Sequence, residues 1–385
     1  MVSLLNDFAS EMIYPLLPAF VIGVLGGGAL SLGALDGAAD FTAALVKFAS
    51  GRLADAPRRR GGLIVLGYFV AVLVRPVIAL TGAVWQVIGL RVTDRVGKGI
   101  RTPPRDALIA DVTPVELHGR AFGLQRGLDH AGAVLGPLAA WALLSSGKTD
   151  LRGVIGASLV PGILVLILAA WAVKDGNTTG GYDGRINTGA GGQPLPAAVA
   201  AQSRPRFPPA LLAIATFYLL RMPETLMLLR SQQVGISVVS VLLLWAALHV
   251  VRSSTSFLGG WLSDRIGAGR TMWLGWISYA AIAYGFARAA TPAAAWGLFL
   301  ALGVVAGLTE SPERALVSRL AGPKQGTGFG IYHGLTGLAA LVGGLVLGAL
   351  YQGSGASPAF LVSAAAALAL AVAALPLGYL TMEER

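Results

Sequence analysis

The chain has 385 residues, 55% of them hydrophobic and only 12% charged, with a mean hydropathy of +0.69. A soluble domain carries roughly 25% charged residues, so this balance excludes an ordinary soluble protein and points to the bilayer. The formal net charge of +10 sits in short connections between apolar runs, where it sets orientation instead of binding nucleic acid. Cysteine is absent, which excludes disulfides, thiol catalysis and cysteine metal sites.

With about twenty apolar residues as the length of a spanning helix, the first half reads as spans at 2–25, 30–52, 62–82, 84–104, 120–146 and 152–173. The second half reads as spans at 208–232, 235–262, 271–289, 293–312, 326–351 and 356–380. No stretch alternates apolar and polar residues over strand length, so the fold class expected is all-α and membrane-embedded. The first run holds Asp7 and Glu11 and lacks a basic leader, so a cleaved signal sequence is not expected. Residues 174–206, rich in Gly, Asn, Thr and Pro, are expected to be a cytoplasmic linker between domains 1–173 and 207–385.

Basic residues gather after even-numbered spans: Arg58, Arg59 and Arg60 after span two, Arg101, Arg105 and Arg120 after span four, Arg265 and Arg270 after span eight. Those loops, the linker and both termini are therefore expected to be cytoplasmic. The halves also repeat. Asp55 corresponds to Asp264, Pro104-Arg105-Asp106 to Pro312-Glu313-Arg314, and Gly119 to Gly326, all at offsets of 207 to 209 residues. Polar landmarks at a near-constant offset indicate two six-helix halves in parallel repeat.

At these landmarks the chain resembles the major facilitator superfamily of secondary transporters. Gly51-Arg52-Leu53-Ala54-Asp55 with Arg58-Arg59-Arg60 is similar to the family signature after helix two, with Pro57 where a glycine is usual, and Gly260 to Gly267 is its second copy. The resemblance implies a gate in which Asp55, Arg58, Arg105, Asp106, Asp264, Arg265, Glu313 and Arg314 form bonds in one conformation and break them in the other. Gly132-Ala133-Val134-Leu135-Gly136-Pro137 resembles the helix-five motif of antiporter-type exporters; Gly132 and Gly136 allow close packing and Pro137 a kink. Arg91, Asp94, Arg95 and Gly97 resemble the helix-four pattern implicated in proton coupling, with Asp94 and Arg95 departing from the usual Gln and Gly. The stretch Asp94–Asp111, with the opening residues 6–18, is similar to a bacterial branch that includes proposed metal-resistance permeases.

Charges inside spans are costly and mark function by default. Asp7 and Glu11, four residues apart, share one face of helix one and suit a protonation or cation site. On helix two, Asp36 is expected near the hydrated outer end, with Asp40 deeper and Lys47 two turns further on. Arg126, Asp129 and His130 lie together on helix five, and His333 occupies the repeat position of Arg126. Arg221 and Glu224 on helix seven are expected to pair; His249, Arg252 and Glu310 complete the set. Pro15, Pro18, Pro223 and Pro312 are expected bend points.

The stretch Arg91–Asp111 is expected to divide into a coupling element inside helix four, Arg91 to Gly99, and a cytoplasmic hinge from Arg101 onward. No P-loop, HExxH or Gly-x-Ser-x-Gly pattern is present, so neither an ATP-driven pump nor a hydrolase is expected. No cofactor or metal site is expected, and the partners are a small-molecule or ion substrate, protons and lipid, with no nucleic acid and a monomeric chain. The function expected is proton-coupled export across a bacterial inner membrane by alternating access. An importer, a facilitator or a non-transporting sensor of the same fold are the alternatives. The acidic pair suits a cation, whereas Arg126 and Arg221 would serve an anion.

Overall fold

The computed structural model describes residues 1–53, 57–112, 118–179, 207–321 and 325–374. Asp55 and residues 180–206 lie outside the described residues, as do the side chains of Arg58, Arg126 and Asp264. All regular structure among the described residues is helical, and it falls into twelve rods. Ten of these are long and apolar enough to cross a membrane.

The rods are α1 (Val2–Glu11), α2 (Ala29–Leu53), α3 (Pro57–Val77), α4 (Val84–Val112), α5 (His118–Ser145) and α6, in two pieces (Leu151–Ala157 and Leu159–Thr179). Then follow α7a (Phe207–Leu220), α7b (Glu224–Gln233), α8 (Val238–Ile266), α9 (Ala268–Arg288), α10 (Pro292–Ala321), α11 (Gln325–Ser354) and α12 (Ala356–Ala374). The two rods outside the apolar ten are α4 and α9. Charges along one side of α4, and Trp and Tyr residues in α9, lower their hydropathy; the α4 charges face the cavity or a buried cluster, and Trp276 and Tyr279 of α9 are buried. The outward faces of the assembly are apolar: Leu73 is 56% exposed, Ile167 59%, Leu212 65% and Val372 58%. Such a shell faces lipid tails, where helices satisfy every backbone group internally. The protein is a multi-pass membrane protein.

Two expectations need correction. Span one is not a single α-helix: α1 ends at Glu11, and turns at Tyr14–Leu16, Leu17–Ala19 and Phe20–Val24 complete the crossing around Pro15 and Pro18. Span four does not stop before a turn: α4 continues through Pro103 and Pro104 to Val112, so the expected hinge is helical. Pro103 lacks the N–H that would bond the Gly99 carbonyl four residues back. Ser50 on α2 supplies the missing donor, its Oγ lying 2.7 Å from that oxygen. Pro312 lies within α10, which continues past it as α4 continues past its prolines. Pro223 does mark a break, since residues 221–223 separate α7a from α7b.

Packing sets the geometry of the centre. α2 lies against α11 and α5 against α8. The α2–α11 crossing is close enough to be backbone on backbone: a methyl on Gly33 would sit 2.7 Å from the Gly344 carbonyl carbon, and one on Gly37 2.6 Å from the Leu341 Cα. Gly132 and Gly136 do the same for α5 and α1, facing the backbone of Leu4, Phe8 and Met12. At one end, fully buried Leu16, Leu17 and Phe20 join Leu226, Leu228 and Trp245 in one apolar plug. Below that plug the rods diverge.

Candidate functional site

The divergence leaves a cavity of about 560 Å³ between the first six rods and the last six. It begins at Tyr14, Asp36 and Trp245 beneath the apolar plug and widens towards Asp7, Lys47, Asp106 and Arg314. Each wall is made by polar residues at helical spacing on an otherwise apolar rod. α1 contributes Asp7 and Glu11, which do share one face; α2 contributes Asp36, Asp40 and Lys47. α4 contributes Arg95, Lys98, Arg101 and Arg105, and α5 contributes Gln125, Asp129 and His130. From the other side come Arg221 and Glu224 at the α7 break, Trp245, His249 and Arg252 on α8, and Glu310 and Arg314 on α10.

Two carboxylates tie the sides together. Glu11 accepts from the Trp245 indole N–H at 3.0 Å, with His249 Nε2 3.9 Å away. Asp36 accepts from the Tyr14 hydroxyl at 3.1 Å, the Thr225 amide at 3.2 Å and the Thr225 hydroxyl at 2.7 Å. Asp36, expected near the outer end, lies on the cavity wall beneath the plug and is held between α2, the first span and the start of α7b. Its role was hidden because Thr225 is 189 residues away in sequence.

Arg221 and Glu224 pair at 3.0 Å, as their spacing predicts, but across the break and not along a helical turn. Arg252 joins the same carboxylate oxygen at 2.7 Å, so Glu224 holds two guanidinium groups. Arg105 pairs with its neighbour Asp106 at 3.0 Å and also reaches Ser3. Asp129 accepts from Ser3 and from Gln125, the latter at 3.1 Å. The rings of His130 and His249 lie 6.5 Å apart.

Other expected residues lie elsewhere. Asp94 is 1% exposed and does not line the cavity. It pairs with Arg75 at 2.9 Å and Arg91 at 3.4 Å. Arg75 also donates to the Asn6 backbone and side-chain oxygens at 3.0 and 3.1 Å, so this buried cluster fastens α1, α3 and α4 together. Arg91 lies over the Tyr14 ring, 4.8 Å from its centroid. Glu313, also 1% exposed, accepts from Tyr332 at 2.8 Å and Tyr218 at 3.2 Å. Arg265 stacks on Trp261, and His333 sits against Tyr332; neither lines the cavity. Among the described residues no group of three or more His, Cys, Asp or Glu is arranged to hold a metal ion.

Arg75 and Trp245 were missed. Arg75 stands alone in the apolar run of span three, and a lone charge in a span is itself the signal for it. Trp245 carries no such mark, because an aromatic residue in an apolar run reads as core.

A charged cavity closed at one end, between two sets of helices inside a lipid-facing shell, defines a secondary transporter. The sequence profile of the Major Facilitator Superfamily matches residues 1–332 and 255–384, and the chain belongs to that family. The uncharacterized MFS-type transporter MJ1317 of Methanocaldococcus jannaschii is 30% identical over 358 residues, covering 91% of this chain and 86% of that protein. Among solved structures, the nucleoside transporter NupG superposes with a TM-score of 0.75 at 12% identity, covering 98% of this chain and 97% of its own. A bacterial homologue of the human lysosomal transporter Spinster gives 0.70 at 17% identity, covering 97% and 93%. At such identities these two describe the fold.

Proposed function

We propose that the protein is a proton-coupled exporter of a small polar solute, working by alternating access. Domains 1–173 and 207–385 rock against one another, joined by the linker 174–206, in a monomer with both termini cytoplasmic in a bacterial inner membrane. The observation that carries the proposal is Glu11: a carboxylate on the cavity wall whose partner, the Trp245 indole, belongs to the opposite set of helices. Protonation there removes the acceptor charge that the cross-domain bond uses, so a proton and a change of access act on one group. The basic connections support a cavity open towards the cytoplasm. Export is supported by Gly132–Pro137, which seats α5 on the backbone of α1, the helix that carries Glu11. The bonds of Arg105 and Asp106 belong to the gate, with Arg58, Asp55, Asp264, Arg265, Glu313 and Arg314.

Vesicles holding the purified protein and a defined panel of hydrophilic acids, amines and zwitterions test this, with mass spectrometry of the efflux. Efflux of the transported solute should accelerate when the exterior is made acidic. Glu11→Gln should keep solute exchange and lose its dependence on the gradient. Gradient-independent efflux from the unmodified protein would indicate a facilitator and sink the proposal.

A further inference from the structure

The cavity wall carries eight carboxylates and eight Lys or Arg side chains among the described residues, so net charge does not select the sign of its ligand. Hydrogen-bond satisfaction does. The carboxylates are largely supplied with donors by the protein itself. Glu11 has Trp245, Asp7 has the Asn6 amide at 2.9 Å, Asp36 has Tyr14 and Thr225, Asp129 has Ser3 and Gln125. Glu224 is shared by two arginines.

The cations divide differently. Arg105, Arg221 and Arg252 have carboxylate partners, and Arg101 lies over the Tyr68 ring and reaches the Gly67 carbonyl. The side chains of Lys47, Arg95, Lys98 and the more exposed Arg314 make no hydrogen bond or ion pair to a described residue, and Arg95 Nε is a buried donor with no acceptor. Lys47, Arg95 and Lys98 share one field: Arg95 acts on both lysines and Lys47 on Lys98, while Asp40 acts on Lys47, Asp7 on Lys98, and Asp94, Asp40 and Glu11 on Arg95. The two carboxylates without hydrogen bonds, Asp40 and Glu310, already stand in the fields of cations, Asp40 beside Lys47 and Arg95, Glu310 beside Arg252 and Arg221. An incoming cation would meet those positive neighbours. An incoming anion would relieve them and give three idle donor groups an acceptor.

We infer that the solute is a small hydrophilic oxyanion, a carboxylate or phosphate, held by Lys47, Arg95 and Lys98. Arg95 and Lys98 are three residues apart on α4, so both side chains rise from one face, with backbone origins about 4.5 Å apart along the axis and heads able to converge on one ligand. Two converging heads can engage two oxygens of one small acid group or of two neighbouring groups. Arg105, a further two turns along the same side, stands at the wide end of the cavity and extends the positive track outward. A lipid tail or an apolar drug has no place against such a wall. The inference rests on the cavity being the transport site, but it does not depend on proton coupling.

Thermal unfolding of the full-length protein in detergent, at pH 7 and matched ionic strength, provides the test. Citrate and inorganic phosphate should raise the midpoint in a saturable way, whereas tetraethylammonium chloride should not. Arg95→Gln and Lys98→Gln should each weaken the apparent affinity roughly tenfold or more, the loss of one charge-assisted contact. Arg288→Gln, at the far end of α9, should leave it unchanged. Stabilisation by tetraethylammonium in preference to the oxyanions would overturn the inference. An equal rise in Arg95→Gln and Lys98→Gln would mark a general effect of salt on folded protein and overturn it too. Should Arg95→Gln not fold, Lys98→Gln and the ligand comparison on unmodified protein still decide. Absent oxyanion binding with gradient-driven efflux intact removes the substrate class alone; binding with gradient-independent efflux removes the coupling alone.

Discussion

Asp36 caps a helix that belongs to the other set of rods. Its Oδ2 accepts from both the Thr225 amide, at 3.2 Å, and the Thr225 hydroxyl, at 2.7 Å, at the first turn of α7b. Those orphan N–H groups carry the positive end of the helix dipole, so a carboxylate there is doubly favoured. The contact joins the two sets of rods beside the plugged end of the cavity.

Loss of that cap should open the plugged end. Removing a capping side chain costs about 1–2 kcal/mol, a roughly five- to thirtyfold change in the balance of two states. The chain has no cysteine, so a spin-label pair at Gly82→Cys and Ala290→Cys reports that end without background. Asp36→Ala should enlarge the long-distance population. An unchanged distance distribution would show that the plug closes without help from Asp36.

Asp94 should matter for stability before it matters for transport. Its carboxylate is buried between Arg75 and Arg91 and is absent from the cavity wall. Asp94→Asn leaves two buried guanidinium groups without a counter-charge, at a cost of about 3–5 kcal/mol. The midpoint of thermal unfolding in detergent should fall by several degrees. Arg75→Met combined with Asp94→Leu should recover part of the loss, because it removes charge and partner together.

Glu224 should restrain anion binding. It occupies both Arg221 and Arg252, and Glu224→Gln releases them to the cavity. Citrate should then stabilise the protein at lower concentration than in the unmodified chain, by severalfold. A weaker response would place the anion away from α7 and α8.

The crossing rods were legible because their signal is compositional: long apolar runs with polar breaks need no partner to be recognised. The shared cavity face of Asp7 and Glu11 was legible for a related reason, since helical period alone fixes it. What escaped depended on distant partners. α4 runs through Pro103 with Ser50, 49 residues away, satisfying the Gly99 carbonyl. Asp36 looked like an outer-end residue until Thr225 arrived beside it. Arg91 and Asp94 were expected to tune the cavity directly, but Arg75 draws Asp94 away from it. Of the expected cationic residues, Arg221 is spent on Glu224, while the side chains of Lys47 and Arg95 have no ion pair among the described residues; Lys98, which shares that condition, was not singled out. Local spacing finds charged faces; it does not say which charges neutralise each other.

The bare-backbone crossing of α2 on α11 has a kinetic consequence. Helices that meet at Gly33, Gly37 and Gly344 have few interlocked side chains to unthread and few rotamers to reset there. A small roll exchanges one set of dispersion contacts for another of similar strength. The seam therefore acts as a smooth bearing, with a shallow energy profile along the path of the roll. The steep part of the profile lies in the directional bonds that must snap at either side of it, those of Asp36 and Glu11. Turnover should then be paced by a few polar bonds, and its rate should respond to their replacement far more than to the fluidity of the surrounding lipid.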